Sequence, residues 1–180
     1  MTLFLIFMSI MLILLLAAMV LLLFSVFYEF IGLTAAPWVP TSSSNTKRFL
    51  KIAAIQRGQK FYDLGCGDGR IIIAAAKAGA NAEGFEISPF PYLLSLLRLF
   101  FLRNNKIKIR YENFWGKNLG DADIVYFYLM PEAIPKLRLK LESELKKGTK
   151  IISFAWPING WNPVGVDVIE GRLNFYLYQI

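Results

Sequence analysis

Hydrophobic and polar positions follow three successive rhythms along this chain. From Met1 through Tyr28 there is no charged side chain, and Glu29 is the first. At about 1.5 Å per helical residue this run reaches roughly 40 Å, enough to cross a hydrocarbon core of roughly 30 Å with some tilt. A helical rhythm follows over 46–55, with Phe49, Leu50, Ala53 and Ala54 on one face, Ser44 or Asn45 as cap and Gly58 as stop. Beyond it, short apolar runs bounded by turn residues alternate with longer helical ones. The pattern predicts strands near 60–64, 82–86, 107–111, 123–129 and 150–155 and helices near 68–78, 91–103 and 132–146, with Gly79 closing the first of these helices. Two last runs, 165–170 and 173–180, read as a hairpin turned at Gly171-Arg172. Alternating strands and helices predict an α/β fold, a mostly parallel sheet with helices on both faces. The organisation expected is a membrane anchor at 1–30, a linker at 31–45 rich in Pro and Ser, and an α/β domain at 46–180.

Charge sharpens the reading of the anchor. A cleaved signal peptide carries a basic leading region and a shorter apolar stretch, whereas this run contains neither Lys nor Arg. Lys47, Arg48, Lys51, Arg57 and Lys60 follow it, which by the positive-inside rule orients the folded domain to the cytoplasm. Tyr28 and Trp38 stand where aromatic residues often meet the membrane interface. The net charge is +7 with a pI near 9.5, but the basic residues are dispersed among apolar ones, which suits an anionic membrane surface better than nucleic acid. A single Cys66 excludes an internal disulfide. The absence of His removes the commonest metal ligand and general base, so no metal is expected.

Candidate chemistry concentrates in Asp63-Leu64-Gly65-Cys66-Gly67-Asp68-Gly69-Arg70, a strand end running into a glycine-rich turn that opens a helix. Glycines let a ligand approach the backbone closely, and the helix start leaves unpaired N–H groups beside it. The dinucleotide pattern G-x-G-x-x-G needs a glycine where Arg70 stands, and no Lys-Ser or Lys-Thr follows to make a phosphate loop. Asp63 and Asp68 would repel a pyrophosphate but suit an ammonium group. S-adenosylmethionine carries such an amine, a sulfonium and no phosphate. Glu86 ends the next strand at 86 − 63 = 23 residues from Asp63, close to the spacing of roughly 20 that presents a carboxylate to ribose hydroxyls. Cys66 reads as a packing residue. At the end of the fifth strand Phe154, Trp156 and Trp161 surround Pro157. Aromatic faces attract cations by roughly 0.5–2 kcal/mol, so these three are candidate contacts for a lysine substrate.

The turn and Glu86 resemble the first two motifs of class I S-adenosylmethionine-dependent methyltransferases, over roughly residues 38–180. The apolar N-terminal segment, Val39-Pro40-Thr41, the D-L-G-x-G-D-G-R turn and Phe154-Ala155-Trp156-Pro157 are together similar to the membrane-attached lysine methyltransferases of ATP synthase c-subunit and adenine nucleotide translocase. This resemblance implies a Rossmann-like methyltransferase fold with a C-terminal antiparallel hairpin, preceded by one transmembrane helix. It implies that Asp63, Gly65, Cys66, Gly67, Asp68, Gly69, Glu86, Ile87, Asn113 and Phe114 hold the cofactor. Asn113 stands where the family usually has an acid for the adenine amine. Tyr128 and Pro131 would face the methyl group, and Pro40 and Thr41 would fold over the site on the substrate side. The function expected is methyl transfer to a lysine of a membrane protein. The alternatives are a lipid, quinone or RNA methyltransferase, or a cofactor-binding membrane scaffold without catalysis. The helix at 91–103 is apolar nearly all round, which predicts either a thickly covered core helix or an outer face resting on the bilayer or on an embedded substrate.

Overall fold

The computed structural model describes residues 2–34, 38–102 and 106–180, with side-chain surroundings for 4–25, 38–102 and 106–180. The chain divides into two units, Met1–Pro37 and Trp38–Ile180. The first is helix α1, Thr2–Thr34. Its stretch Phe4–Ser25 has a mean hydropathy of 3.1 and is long and apolar enough to cross a membrane. The helix thus continues four residues into the segment expected to be linker. The side chain of Tyr28, Pro37 and the expected helix end at Arg103 lie outside the described residues.

The second unit is one seven-stranded sheet with helices on both faces. Its strands are β1 (Lys60–Leu64), β2 (Asn81–Glu86), β3 (Ile107–Tyr111), β4 (Ile124–Phe127), β5 (Lys150–Phe154), β6 (Gly165–Asp167) and β7 (Phe175–Gln179), ordered β3-β2-β1-β4-β5-β7-β6. The first five are parallel; β7 runs antiparallel to both β5 and β6. The helices are α2 (Ser43–Ala53), α3 (Arg70–Lys77), α4 (Pro89–Leu102) and α5 (Ile134–Glu144). The expected Rossmann-like order of strands and helices is present. The expected hairpin is also present, with shorter strands and a connection wider than Gly171-Arg172.

Helix boundaries differ where local capping decides them. Ser42, not Ser44 or Asn45, caps α2 by accepting from the Asn45 N–H at 3.2 Å. The helix stops at Ala54, which adopts φ +43, before Gly58 is reached. The expected helix at 132–146 splits into a short 3-10 turn at Pro131–Ala133 and then α5.

Alternate positions on the central strands feed two cores. One face buries Phe61, Ile124, Tyr126, Ile152 and Phe154 beneath α2 and α3; the other buries Tyr62, Leu64, Val125, Phe127 and Ile151 beneath α5. Phe49 of α2 meets Tyr126 edge-on, with ring centroids 5.1 Å apart. Arg48 beside it ties α2 to the late strands. Its Nε reaches Asp167 Oδ2 at 2.6 Å, and its other nitrogens donate to the carbonyls of Leu173 and Asp167 at 2.9 and 3.0 Å.

Candidate functional site

The parallel strands end together, and their C-terminal ends carry the candidate residues. Asp63 pairs in register with Gly84 of β2 and Tyr126 of β4, so it lies on the α2–α3 face of the sheet. Beyond Leu64 the chain stays attached to β2, because the N–H groups of Gly65 and Cys66 both donate to the Phe85 carbonyl at 2.9 Å. Glu86 then holds the turn itself. One carboxylate oxygen accepts from the Gly67 N–H at 2.8 Å and the other from the Ser88 N–H at 2.7 Å. A carboxylate offers about four lone-pair sites, so acceptor capacity remains for two hydroxyls.

Asp63 is buried and its Oδ1 has no hydrogen-bond partner. Burial, then the charges of Glu86 and Asp68, push its carboxyl well above the ordinary carboxylate range. A buried polar atom without a partner costs about 1–3 kcal/mol, and its persistence calls for a ligand group to complete it. A ligand amine would satisfy the orphan oxygen and relieve the acid cluster at once. The residues present therefore fit a cationic, phosphate-free cofactor.

The far side of the turn is walled by residues 38–41. Asp68 is buried and ion-paired to both Arg70 and Arg98, the latter at 2.9 Å. Arg70 also donates to the Thr41 carbonyl, tying the strap to the turn. Arg70 thus performs a structural task at the position where a dinucleotide site would need glycine. The Trp38 indole lies against Gly67. That glycine has φ +54, and a Cβ on it would come within 2.7 Å of Trp38 Nε1. The Trp38 ring also meets Phe90 of α4 edge-on at 6.0 Å. Thr41 is buried beside the turn, whereas Pro40 is exposed.

The remaining candidates are sorted by their surroundings. Cys66 packs under Gly84, whose Cβ would stand 2.9 Å from its sulfur, and burial pushes its thiol pKa up. Gly69 precedes α3 with φ +78. Ile87 is exposed beside Glu86. Asn113 spends its side-chain oxygen on the Trp115 N–H at 3.1 Å. Phe114 is buried in the α5-side core and packs on Trp115 at 4.7 Å, so its ring is a core ring. Tyr128 and Pro131 follow β4 and are half-buried, with Tyr128 against Phe154 at 4.7 Å.

The aromatic trio is not brought together. Phe154 is buried and stacks on Phe175 at 4.3 Å. Trp161 packs beside Tyr178 in the opposite core and donates its indole N–H to Glu142 of α5 at 2.9 Å. These two rings are committed to the fold. Only Trp156 of the three presents an exposed ring. The alternating pattern of β5 put Phe154 inward, a signal outweighed by its closeness to Pro157.

Sequence reasoning also missed Trp38, Arg98 and Leu129. The Leu129 side chain lies 3.3 Å from where a Gly65 Cβ would stand, so the end of β4 closes on the turn. Arg98, the single charge in an apolar helix, was the signal that Asp68 needed a distant partner.

A family model described as the ANTKMT methyltransferase domain matches residues 63–165. A protein-lysine N-methyltransferase of Saccharolobus islandicus is 38% identical over 80% of this chain and 93% of its own length. The adenine nucleotide translocase lysine N-methyltransferase of Mus musculus is 32% identical over 79% of this chain, which spans only 63% of that protein. Among solved structures, an RNA methyltransferase from Salinibacter ruber in complex with S-adenosyl-L-homocysteine superposes with a TM-score of 0.75. It is 30% identical and covers 79% of this chain and 94% of its own.

Proposed function

The chain belongs to the ANTKMT methyltransferase family and uses S-adenosylmethionine, and from that premise we propose that it methylates a lysine amine of a membrane protein. It does so held to the bilayer by the span at Phe4–Ser25, with the catalytic unit on the cytoplasmic side. The observation that carries the site assignment is the buried, partnerless Asp63 oxygen beside a glycine turn clamped by Glu86. In this reading Asp63 takes the cofactor's ammonium, Glu86 its ribose hydroxyls and the turn backbone its methionine portion.

When bound, the cofactor supplies an activated methyl group to a neutral amine and keeps the electrons of the broken carbon–sulfur bond. Little acid–base machinery is then required of the protein, and positioning dominates. Tyr128 and the exposed ring of Trp156 supply polar and aromatic surface near the strand ends for an incoming lysine. The lysine assignment is favoured by the relative from Saccharolobus islandicus, matched over nearly its full length. The basic residues after the span favour the cytoplasmic orientation.

The test is methyl-labelled cofactor given to the full chain with native membranes, followed by separation of protein, lipid and RNA. Label is expected in protein and, after digestion, on lysine by mass spectrometry. Label in RNA alone, the reading suggested by the Salinibacter ruber RNA methyltransferase and the net charge of +7, would overturn the lysine assignment, as would label in lipid alone.

A further inference from the structure

Helix α4 is covered on one side only. Pro91 and Ser95 are buried against the sheet, while Phe90, Leu93, Leu97, Phe100 and Phe101 are 60%, 61%, 55%, 75% and 76% exposed. Their spacing of i, i+3, i+7, i+10 and i+11 gathers them on one helical face. Scattered surface hydrophobics are ordinary; a contiguous stripe of this size marks an interaction surface.

We infer that the outer face of α4 is a second membrane contact, lying in the headgroup and acyl boundary of the bilayer. The inference rests on the proposed anchoring by residues 4–25 and says which face of the catalytic unit meets the lipid. Three observations select lipid as the occupant. First, Trp38, which touches Phe90 of α4, lies thirteen residues after Ser25, the last residue of the span. A segment of that length reaches at most about 45 Å fully extended, and less where it is helical. Second, the apolar surface is continued by Ile87 just before α4 and by Val39 in the strap itself, 49% and 53% exposed. Third, α4 carries no acid, and its one cation, Arg98, is paired to Asp68. On the edge strand β3 it is the apolar Ile109 that lies beside Ser95 of α4, next to Gly69. An apolar face on a helix whose one charge is already paired suits an interfacial contact, which buries about 5–10 Å into the boundary.

The contact has a functional meaning because α4 is also wired to the turn. Arg98 reaches Asp68, and Ser95 packs beneath Gly69, its Cβ 3.2 Å from where a Cβ on that glycine would stand. Lipid under α4 would therefore fix the height of the site above the bilayer. The favoured substrate is then a lysine at the membrane surface rather than one on a distant soluble domain.

The test uses the full chain reconstituted in phosphatidylcholine–phosphatidylglycerol vesicles, with a nitroxide on Leu97→Cys, Phe101→Cys or, as control, Leu139→Cys on α5. Native Cys66 is buried, so it labels poorly. Collisional relaxation is read with oxygen and with a water-soluble nickel chelate, while gradient flotation reports anchoring separately. The expected result is flotation of all three, with nickel access at 97 and 101 several-fold below that at 139 and oxygen access above it. Equal nickel access at all three positions in floating vesicles would overturn this inference and leave the anchor standing. Protection that disappears on diluting the protein into excess lipid would assign the face to a second copy. Protection found only in native membranes would assign it to a partner protein, and either result overturns the lipid contact. Failure to float would remove the anchor and this inference together.

Discussion

Replacing Asp63 by Asn should separate cofactor binding from folding. The substitution keeps shape but removes a charge that the surroundings disfavour, since burial and the neighbouring Glu86 and Asp68 all raise its pKa. Its Oδ1 has no hydrogen-bond partner whose loss could offset that relief. A group whose folded pKa lies above its ordinary 3.8 binds more protons when folded. It therefore subtracts stability as pH rises from 3.8 through the folded value. Asp63→Asn lacks this loss, and its denaturant midpoint at neutral pH should equal or exceed that of the unaltered chain. Cofactor binding should move the other way. A hydrogen bond to a charged group contributes about 1.5–3 kcal/mol, which corresponds to an affinity about 10- to 150-fold weaker. Calorimetric titration with S-adenosylhomocysteine and urea unfolding of the same preparation read the two quantities. Undiminished affinity would refute the assignment of the orphan oxygen to the ligand amine. Loss of stability together with affinity would show that Asp63 is a structural partner instead.

Other substitutions probe the supports of the site. Gly67→Ala places a Cβ against Trp38 at a left-handed backbone angle costing about 1–2 kcal/mol; the melting temperature should fall, and adding Trp38→Ala should recover part of the loss in a non-additive cycle. Arg48→Lys keeps the charge but cannot span Asp167 and two carbonyls, so urea unfolding should show a loss of about 1–3 kcal/mol. Burial would raise the Glu83 carboxyl, but hydrogen bonds from Lys60 and Arg110 outweigh it and hold it at about 2. Glu83→Gln should therefore cost about 1.5–3 kcal/mol at pH 7. Because the folded pKa is depressed, that gap should shrink as pH falls from 4.5 towards about 2.

The order of elements was legible because strand and helix rhythms here are local properties. Phe61 and Asp63 face one core while Tyr62 and Leu64 face another, as strand alternation requires. The turn was equally legible, since glycine, acid and spacing each restrict the ligand through backbone and charge alone. What sequence could not supply was contact across elements. Trp38 suited a membrane belt by position, and nothing in the sequence told that Gly67, far along the chain, leaves the space its ring occupies. Trp161 suited an aromatic cluster by closeness to Pro157, yet its N–H is claimed by Glu142 on α5. Ser42 won the cap of α2 over its neighbours by where its hydroxyl points, a distinction that three consecutive serines conceal.

The place of β7 has a consequence for how the protein comes into being. This strand is last in chain order, yet it sits inside the sheet between β5 and β6 and brings Phe175 to stack on Phe154. During translation Gln179 follows Ser25 by 154 residues, an interval of about 8–30 s at 5–20 residues per second. Until that interval closes the nascent catalytic unit lacks a core strand, although the glycine turn and the first five strands are made earlier. The turn and Glu86 are thus synthesised well before the sheet that positions them is complete, and cofactor binding awaits the strand made last.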